Sequence, residues 1–256
     1  MLKYRSELKN KKFMKKTFQE IEKNILDIIL PKKCFNCQVE KTFWCKNCFQ
    51  KIKLNSWQIC PICQKFLTEK GEVCLSCKQG NPPIDSLTVA TSYQDPLISK
   101  SIQLFKYKFI QELSEPLSKL ILKAHQKNKL KIPDLIIPVP LHPFKLRWRG
   151  FNQSQLLAEN LATNLLPSFP IKIGLKILTR VKYTFPQASF KKSTARQKNI
   201  RQAFQINLEY LNEIKNHRIL LIDDVCTTGS TLMECGQELR KLKPKSIQAL
   251  VIARQN

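Results

Sequence analysis

No stretch of the 256-residue chain holds the roughly 18 consecutive apolar residues that a membrane-crossing helix needs, so no transmembrane segment is expected. Acidic side chains are scarce too, 19 Asp and Glu against 44 Lys and Arg, which leaves a formal net charge of +25. A surface so biased favours polyanions: nucleic acid, phosphorylated metabolites or an anionic membrane face. Glycine is sparse. None of the six glycines is followed by lysine, which excludes the G-x-x-x-x-G-K-[ST] loop of P-loop enzymes, and no G-x-G-x-x-G run marks a dinucleotide fold. The N-terminal segment places its charges before its apolar residues, but no small-residue cleavage site follows, and Pro31, Lys32 and Lys33 close it. With no secretory signal, the expected location is the cytoplasm. Phe18, Ile21, Ile25, Ile28 and Ile29 recur at helical spacing, so residues 1–33 are expected to form a basic amphipathic helix.

Cysteine, by contrast, is plentiful. Eight of the ten fall into four pairs of one spacing: Cys34 with Cys37, Cys45 with Cys48, Cys60 with Cys63, and Cys74 with Cys77. Two thiolates three positions apart on a tight knuckle can both reach one tetrahedral Zn²⁺ at about 2.3 Å, and two knuckles close a structural site with no position left for chemistry. A disulfide framework would need an oxidising compartment, and the chain carries no export signal, so structural zinc is expected at one or two sites. Sequential pairing, 34–48 and 60–77, closes shorter loops than a cross-braced arrangement and is favoured on that ground. The interleaved Phe35, Phe43, Trp44, Phe49 and Trp57 are expected to pack around the metals. Cys226 and Cys235 stand alone and read as small apolar residues.

Gly80, Asn81, Pro82 and Pro83 punctuate the chain where the paired cysteines stop. A zinc-ribbon module over residues 34–80 and a second domain over residues 81–256 are therefore expected. The second domain alternates: strands at 86–93, 134–140, 175–181, 217–224 and 246–254, with helices from 96 to about 109, on to about 129, over 152–166 and from about 230 to 243. Such alternation predicts an α/β fold with a doubly wound, mostly parallel sheet.

In that fold ligands sit beyond the carboxyl ends of the strands. The stretch "ILLIDDVCTTGST" ends an apolar strand, Ile219 to Ile222, in two adjacent acids, Asp223 and Asp224. Thr227, Thr228, Gly229, Ser230 and Thr231 follow, offering hydroxyls and a tight turn that opens a helix. Free backbone N–H groups at a helix start form an anion site. Acids that merely capped the helix would account for one carboxylate but not two.

This stretch resembles the 5-phosphoribosyl-1-diphosphate (PRPP) motif of type I phosphoribosyltransferases. The resemblance implies that Asp223 and Asp224 hold the ribose hydroxyls and assist Mg²⁺, while Thr227 to Thr231 cradle the 5′-phosphate. More narrowly, "IPVPLHPFKLRWRGFNQSQLLA", with R-G-F-N-Q at Arg149 to Gln153, is similar to the ComF (ComFC-like) family associated with DNA uptake in natural competence. That family joins a cysteine-rich zinc module to a phosphoribosyltransferase-like domain. Arg180, Thr184, Gln187, Arg196 and Asn199 match the pattern of its mobile loop. The resemblance implies a sugar-phosphate ligand, single-stranded DNA as a partner, and work alongside a competence helicase or other DNA-uptake proteins.

Between Asp134 and Glu209 the only acid is Glu159, while Lys and Arg occur twelve times. Arg147 and Arg149 are expected to clamp a diphosphate beside the two aspartates. Lys182, Lys191, Lys192, Arg196, Lys198 and Arg201 crowd the loop segment and are expected to meet nucleic acid, with Phe151 or Trp148 as a stacking plate. Two functions fit: phosphoribosyl transfer with Asp223, Asp224 and Arg149 as the catalytic groups, or a non-enzymatic single-stranded-DNA accessory whose sugar-phosphate pocket senses or docks a DNA end. His142, near the same surface, reads as structural.

Overall fold

The computed structural model describes residues 32–55, 58–183 and 202–255. The helix expected over 1–33 lies almost wholly outside the described residues, as do Trp57 and the segment 184–201. The chain divides into two compact units after Lys51.

In the first unit, Cys45 caps α1 (Lys46–Gln50), its sulfur accepting the Cys48 N–H. Phe35 and Trp44 are buried with ring centroids 5.4 Å apart, and Phe49 stands edge-on to Trp44 at 5.6 Å. Aromatic packing thus supplies the core that so short a unit otherwise lacks.

The second unit opens with a small antiparallel ribbon, β1 (Gln58–Ile59) with β2 (Leu67–Thr68), and a short helix α2 (Leu75–Lys78). β3 (Ser86–Ser92) follows, then α3 (Pro96–Tyr107), α4 (Ser114–Lys127), β4 (Leu135–Pro138), α5 (Pro143–Arg149), α6 (Gln153–Leu165) and β5 (Lys172–Ile173). The chain continues through β6 (Leu178–Arg180), β7 (Phe204–Ile206), α7 (Leu211–Ile214), β8 (Arg218–Cys226), α8 (Ser230–Arg240) and β9 (Ser246–Arg254). The main sheet is five-stranded and parallel, in the order β3-β9-β8-β4-β5. It is the α/β sheet that the alternating pattern predicts. Its middle strands are apolar on both faces because helices cover both. Ile219 and Leu221 point into a core shared with Leu232, Cys235 and Leu239 of α8, while α4 and α6 pack over the other face.

Three features depart from the sequence pattern. Residues 178–180 leave the main sheet and pair antiparallel with β7, as a separate ribbon. The fifth main strand is β5, whose two paired residues are too few to carry a period. Helix α5 has no apolar stripe to betray it. It forms because Pro143 pre-sets the first turn, His142 Nδ1 accepts the Phe144 N–H at 3.2 Å, and Gly150 ends the helix at φ 75°. His142 is thus a helix cap.

Helix α8 lies close against the segment entering β3. A Cβ on Gly236 would fall 2.6 Å from the Pro83 carbonyl oxygen and 2.7 Å from Ile84 Cγ2. Gly236→Ala is therefore expected to cost about 1–3 kcal/mol, as overpacking does, and to lower the urea midpoint accordingly.

Candidate functional site

The cysteines pair sequentially. The sulfur atoms of Cys34, Cys37, Cys45 and Cys48 lie within 4.8 Å of one another, and those of Cys60, Cys63, Cys74 and Cys77 do the same. All eight are free thiols, and separations of 3.5 Å for Cys37 with Cys45 and 3.8 Å for Cys63 with Cys74 far exceed a disulfide bond of about 2.05 Å. Burial would raise the Cys34 thiol, but amides of Cys37, Cys45 and Asn36 outweigh it and bring it down to about 6. Cys60 reaches about 6 in the same way, burial being outweighed by amides of Cys74, Cys63 and Ile62. The others resist. Although the Val39 amide favours its thiolate, Cys37 is pushed up to about 11 by the sulfurs of Cys45, Cys48 and Cys34. Burial and its neighbouring sulfurs push Cys77 to about 12. Four crowded thiols ionise together only around a cation, and four-sulfur tetrahedral sets suit Zn²⁺.

Strand β8 carries Asp223 and Asp224 to the carboxyl end of the sheet, where three other elements meet them. Asn152 caps α6 by accepting the Ser154 N–H at 3.1 Å, and its own amide donates to the Val139 carbonyl just beyond β4 at 3.0 Å. That anchorage presents Ser154, whose hydroxyl donates to Asp223 Oδ1 at 2.9 Å. From the last turn of α3, Lys106 Nζ reaches Asp224 Oδ1 at 2.9 Å. Phe105 beside it is fully buried, its ring centroid 5.5 Å from that of Phe151. Burial would depress the Lys106 ammonium, yet the charges of Asp224 and Asp223 prevail and hold it above its ordinary range.

Asp223 is raised to about 7, first by burial and then by the charge of Asp224, against the opposing pull of Lys106 and Ser154. Linkage fixes the sign. The folded chain keeps this proton up to about pH 7, whereas the unfolded chain loses it near 3.8, so the group's contribution to stability declines as pH rises through 7. Between pH 6 and 8 the loss is roughly 1 kcal/mol. Urea midpoints of the wild type should fall over that interval relative to Asp223→Asn, and parallel pH profiles would refute the assignment.

After Cys226 the backbone turns at Gly229, φ 78°, a conformation that L side chains rarely adopt, and α8 begins. Thr228 Oγ1 and Ser230 Oγ lie 2.6 Å apart, and Thr227, Ser230 and Thr231 line a small concavity that includes Asp223. The turn couples amide donors and hydroxyls to the positive end of a helix, as anion sites do. Cys226 and Cys235 are buried, Cys226 is pushed up to about 11 by burial, and both serve as apolar residues.

Around the acids stands a cationic wall. Arg149 Nη1 donates to Gln153 Oε1 at 3.1 Å, while Arg149 Nε and Gln153 Nε2 are buried without partners. Lys145 is lowered to about 8 by burial and by the charges of Arg180, Arg149 and Lys106. Arg180 lies 5.2 Å over the Phe204 ring and feels the charge of Asp223. Arg147 and Lys182 are exposed. Lys191, Lys192, Arg196, Lys198 and Arg201 fall outside the described residues.

Lys106 and Ser154 belong to the site although sequence reasoning did not single them out. One signal was available for the first: Lys106 continues the four-residue spacing of Ile98 and Ile102 at the half-buried end of the stripe on α3. A lysine on such a stripe needs a carboxylate.

Two family models match the chain: a double zinc ribbon domain over residues 25–85 and a phosphoribosyl transferase domain over residues 152–256. Over 231 residues the sequence is 34% identical to competence protein F of Haemophilus influenzae, covering 87% of this chain and 96% of that protein. It is 29% identical over 228 residues to DNA utilization protein YhgH of Escherichia coli K12, covering 82% of this chain and 96% of the relative. Competence protein ComFC of Bacillus subtilis is 28% identical over 230 residues, covering 82% and 83% respectively.

Proposed function

The chain belongs to the competence protein F family, and from that premise we propose that it is a cytoplasmic PRPP-binding protein of phosphoribosyltransferase type that serves DNA uptake or processing in natural competence. One observation carries the proposal: an acid pair, Asp224 buried and Asp223 half-buried, and an anion-binding turn occupy the same strand-to-helix junction. Asp223 and Asp224 accept hydrogen bonds from the ribose 2′- and 3′-hydroxyls, and residues 227–231 take the 5′-phosphate. Lys106 holds the Asp224 carboxylate in place for that task. The unpartnered donors on Arg149 and Gln153 are suited to diphosphate oxygens. Asp223 and Asp224 would also steady Mg²⁺, whose charge would offset that of the diphosphate. Transfer would break the bond from ribose C1 to the diphosphate oxygen, the electron pair leaving with diphosphate while an acceptor bonds to C1. The acids would steady the ribose as positive charge develops.

Calorimetric titration with PRPP and Mg²⁺ tests the binding, and diphosphate release over nucleobases, amines and DNA ends tests the transfer. Saturable heat at one site per chain supports the proposal, and its absence would end it. Binding without release would assign the pocket to sensing or docking.

A second role as a single-stranded-DNA accessory is favoured by one surface. Tyr107, Phe109, Phe144, Trp148 and Tyr183 are all exposed. Arg149 lies 5.4 Å over the Tyr107 ring and Lys145 Nζ 5.4 Å over that of Tyr183. Exposed rings interleaved with cations suit stacked bases and phosphates, such as those of a strand handed on by a competence helicase or another uptake protein. Binding there should weaken steeply with salt.

A further inference from the structure

The second cysteine cluster touches the phosphate turn. Residues 60–64 form the first knuckle of that cluster, with the Gln64 N–H donating to the Cys60 carbonyl at 3.0 Å. Gln64 holds φ 58°, a left-handed conformation uncommon for a non-glycine residue. From there its side chain spans 164 positions of sequence: Nε2 donates to the Thr228 carbonyl at 3.0 Å. The Pro61 carbonyl oxygen stands 4.0 Å from where a Cβ on Gly229 would sit. Two consecutive residues of the turn, Thr228 and Gly229, are therefore met by a knuckle whose shape Cys60 and Cys63 set.

We infer that Gln64 is a positioning residue that couples metal binding by Cys60, Cys63, Cys74 and Cys77 to sugar-phosphate binding at residues 227–231. An anion-binding turn works by presenting N–H groups, and one carbonyl rotated into the cradle would repel the phosphate. Gln64 holds the Thr228 carbonyl on an outside donor, so that peptide cannot rotate inward without losing a hydrogen bond. Zinc fixes the knuckle, and the knuckle fixes the turn. Coupling of this kind is reciprocal: if zinc favours the ligand-ready turn, the ligand retards zinc loss by the same free energy. The inference rests on residues 227–231 being the phosphate site of the proposed function.

The test uses the full-length, zinc-loaded protein and PRPP with Mg²⁺ as the probe. Zinc release to a chromogenic chelator is timed with and without PRPP, and PRPP affinity is measured by calorimetry, for wild type, Gln64→Ala and Gln64→Met. Methionine keeps the length of the side chain and removes the donor. In the wild type, PRPP should slow release from one of two zinc sites. Both variants should retain their zinc and their melting temperature, bind PRPP about 5-fold more weakly, as loss of one neutral hydrogen bond implies, and lose the PRPP-dependent slowing. Equal affinity and undiminished slowing in the variants would overturn the coupling and leave the sugar-phosphate site standing. Absence of PRPP binding in the wild type would remove the proposed function, and the coupling with it.

Discussion

At a pH above about 7, where Asp223 is ionised, replacing Asp223 and Asp224 together with asparagine is expected to weaken PRPP binding at least about 100-fold, because two charge-assisted hydrogen bonds worth roughly 1.5–3 kcal/mol each are lost. The pair acts as a unit. Ser154 fixes Asp223 at 2.9 Å and Lys106 fixes Asp224 at 2.9 Å, so the acceptors stand ready before a ligand arrives. The double variant also strands the half-buried Lys106 ammonium, and a partly desolvated charge without its partner is destabilising. The melting temperature must therefore be followed, and Lys106→Met in the same background restores a neutral interior should the double variant melt early. Single-stranded-DNA affinity and its salt slope should stay as in the wild type, because the surface proposed for DNA rests on the exposed rings of Trp148, Phe144 and Tyr183. Loss of both activities together would argue against separable roles.

Metal removal is the other large effect. Elemental analysis should find two zinc ions per chain in the wild type, and one each in Cys34→Ser with Cys37→Ser and in Cys60→Ser with Cys63→Ser. The two variants should differ in what they destabilise. Cys60 to Cys77 lie in the same compact unit as the sheet, where the Glu72 backbone bridges to Ser86 and the Val73 N–H reaches the Asp85 carbonyl at 3.0 Å. Structural zinc binding is worth on the order of 10 kcal/mol. At roughly 2–4 °C per kcal/mol for a domain of this size, losing even half of that should lower the melting temperature of the sheet unit by more than about 10 °C. The Cys34 and Cys37 variant should leave the melting of that unit nearly unchanged. A wild type with reduced cysteines and no bound metal would contradict the assignment of both clusters.

What the sequence discloses follows from how local each signal is. The cysteine knuckles are local, since three-residue spacing and loop-closure entropy are enough to choose sequential pairing. The strand ending in Asp223 and Asp224 is local too: four apolar residues, two acids and a hydroxyl-rich turn lie within thirteen positions. Parallel topology could be read because β3, β8 and β9 are buried on both faces and α4 and α6 carry apolar stripes between them. The rest depends on contacts that leave no period. Lys106 stands 118 positions before Asp224, and only its place at the half-buried end of the stripe on α3 hints at a partner. Ser154 reads as part of a helix start, and nothing nearby says that its hydroxyl crosses to Asp223. β5 is too short, the β6–β7 ribbon looks like any pair of strands, and α5 is held by its caps. Gln64 looks like an ordinary knuckle residue until the fold brings it to Thr228.

A crystal structure of the protein grown with PRPP and Mg²⁺ bears most directly on the site. The expected result is the 5′-phosphate on the amides and hydroxyls of residues 227–231, with the ribose hydroxyls within hydrogen-bond distance of Asp223 and Asp224. Ligand found instead in the lysine-lined concavity of Lys70, Lys127 and Lys129, with the acid pair still closed on Lys106 and Ser154, would contradict it.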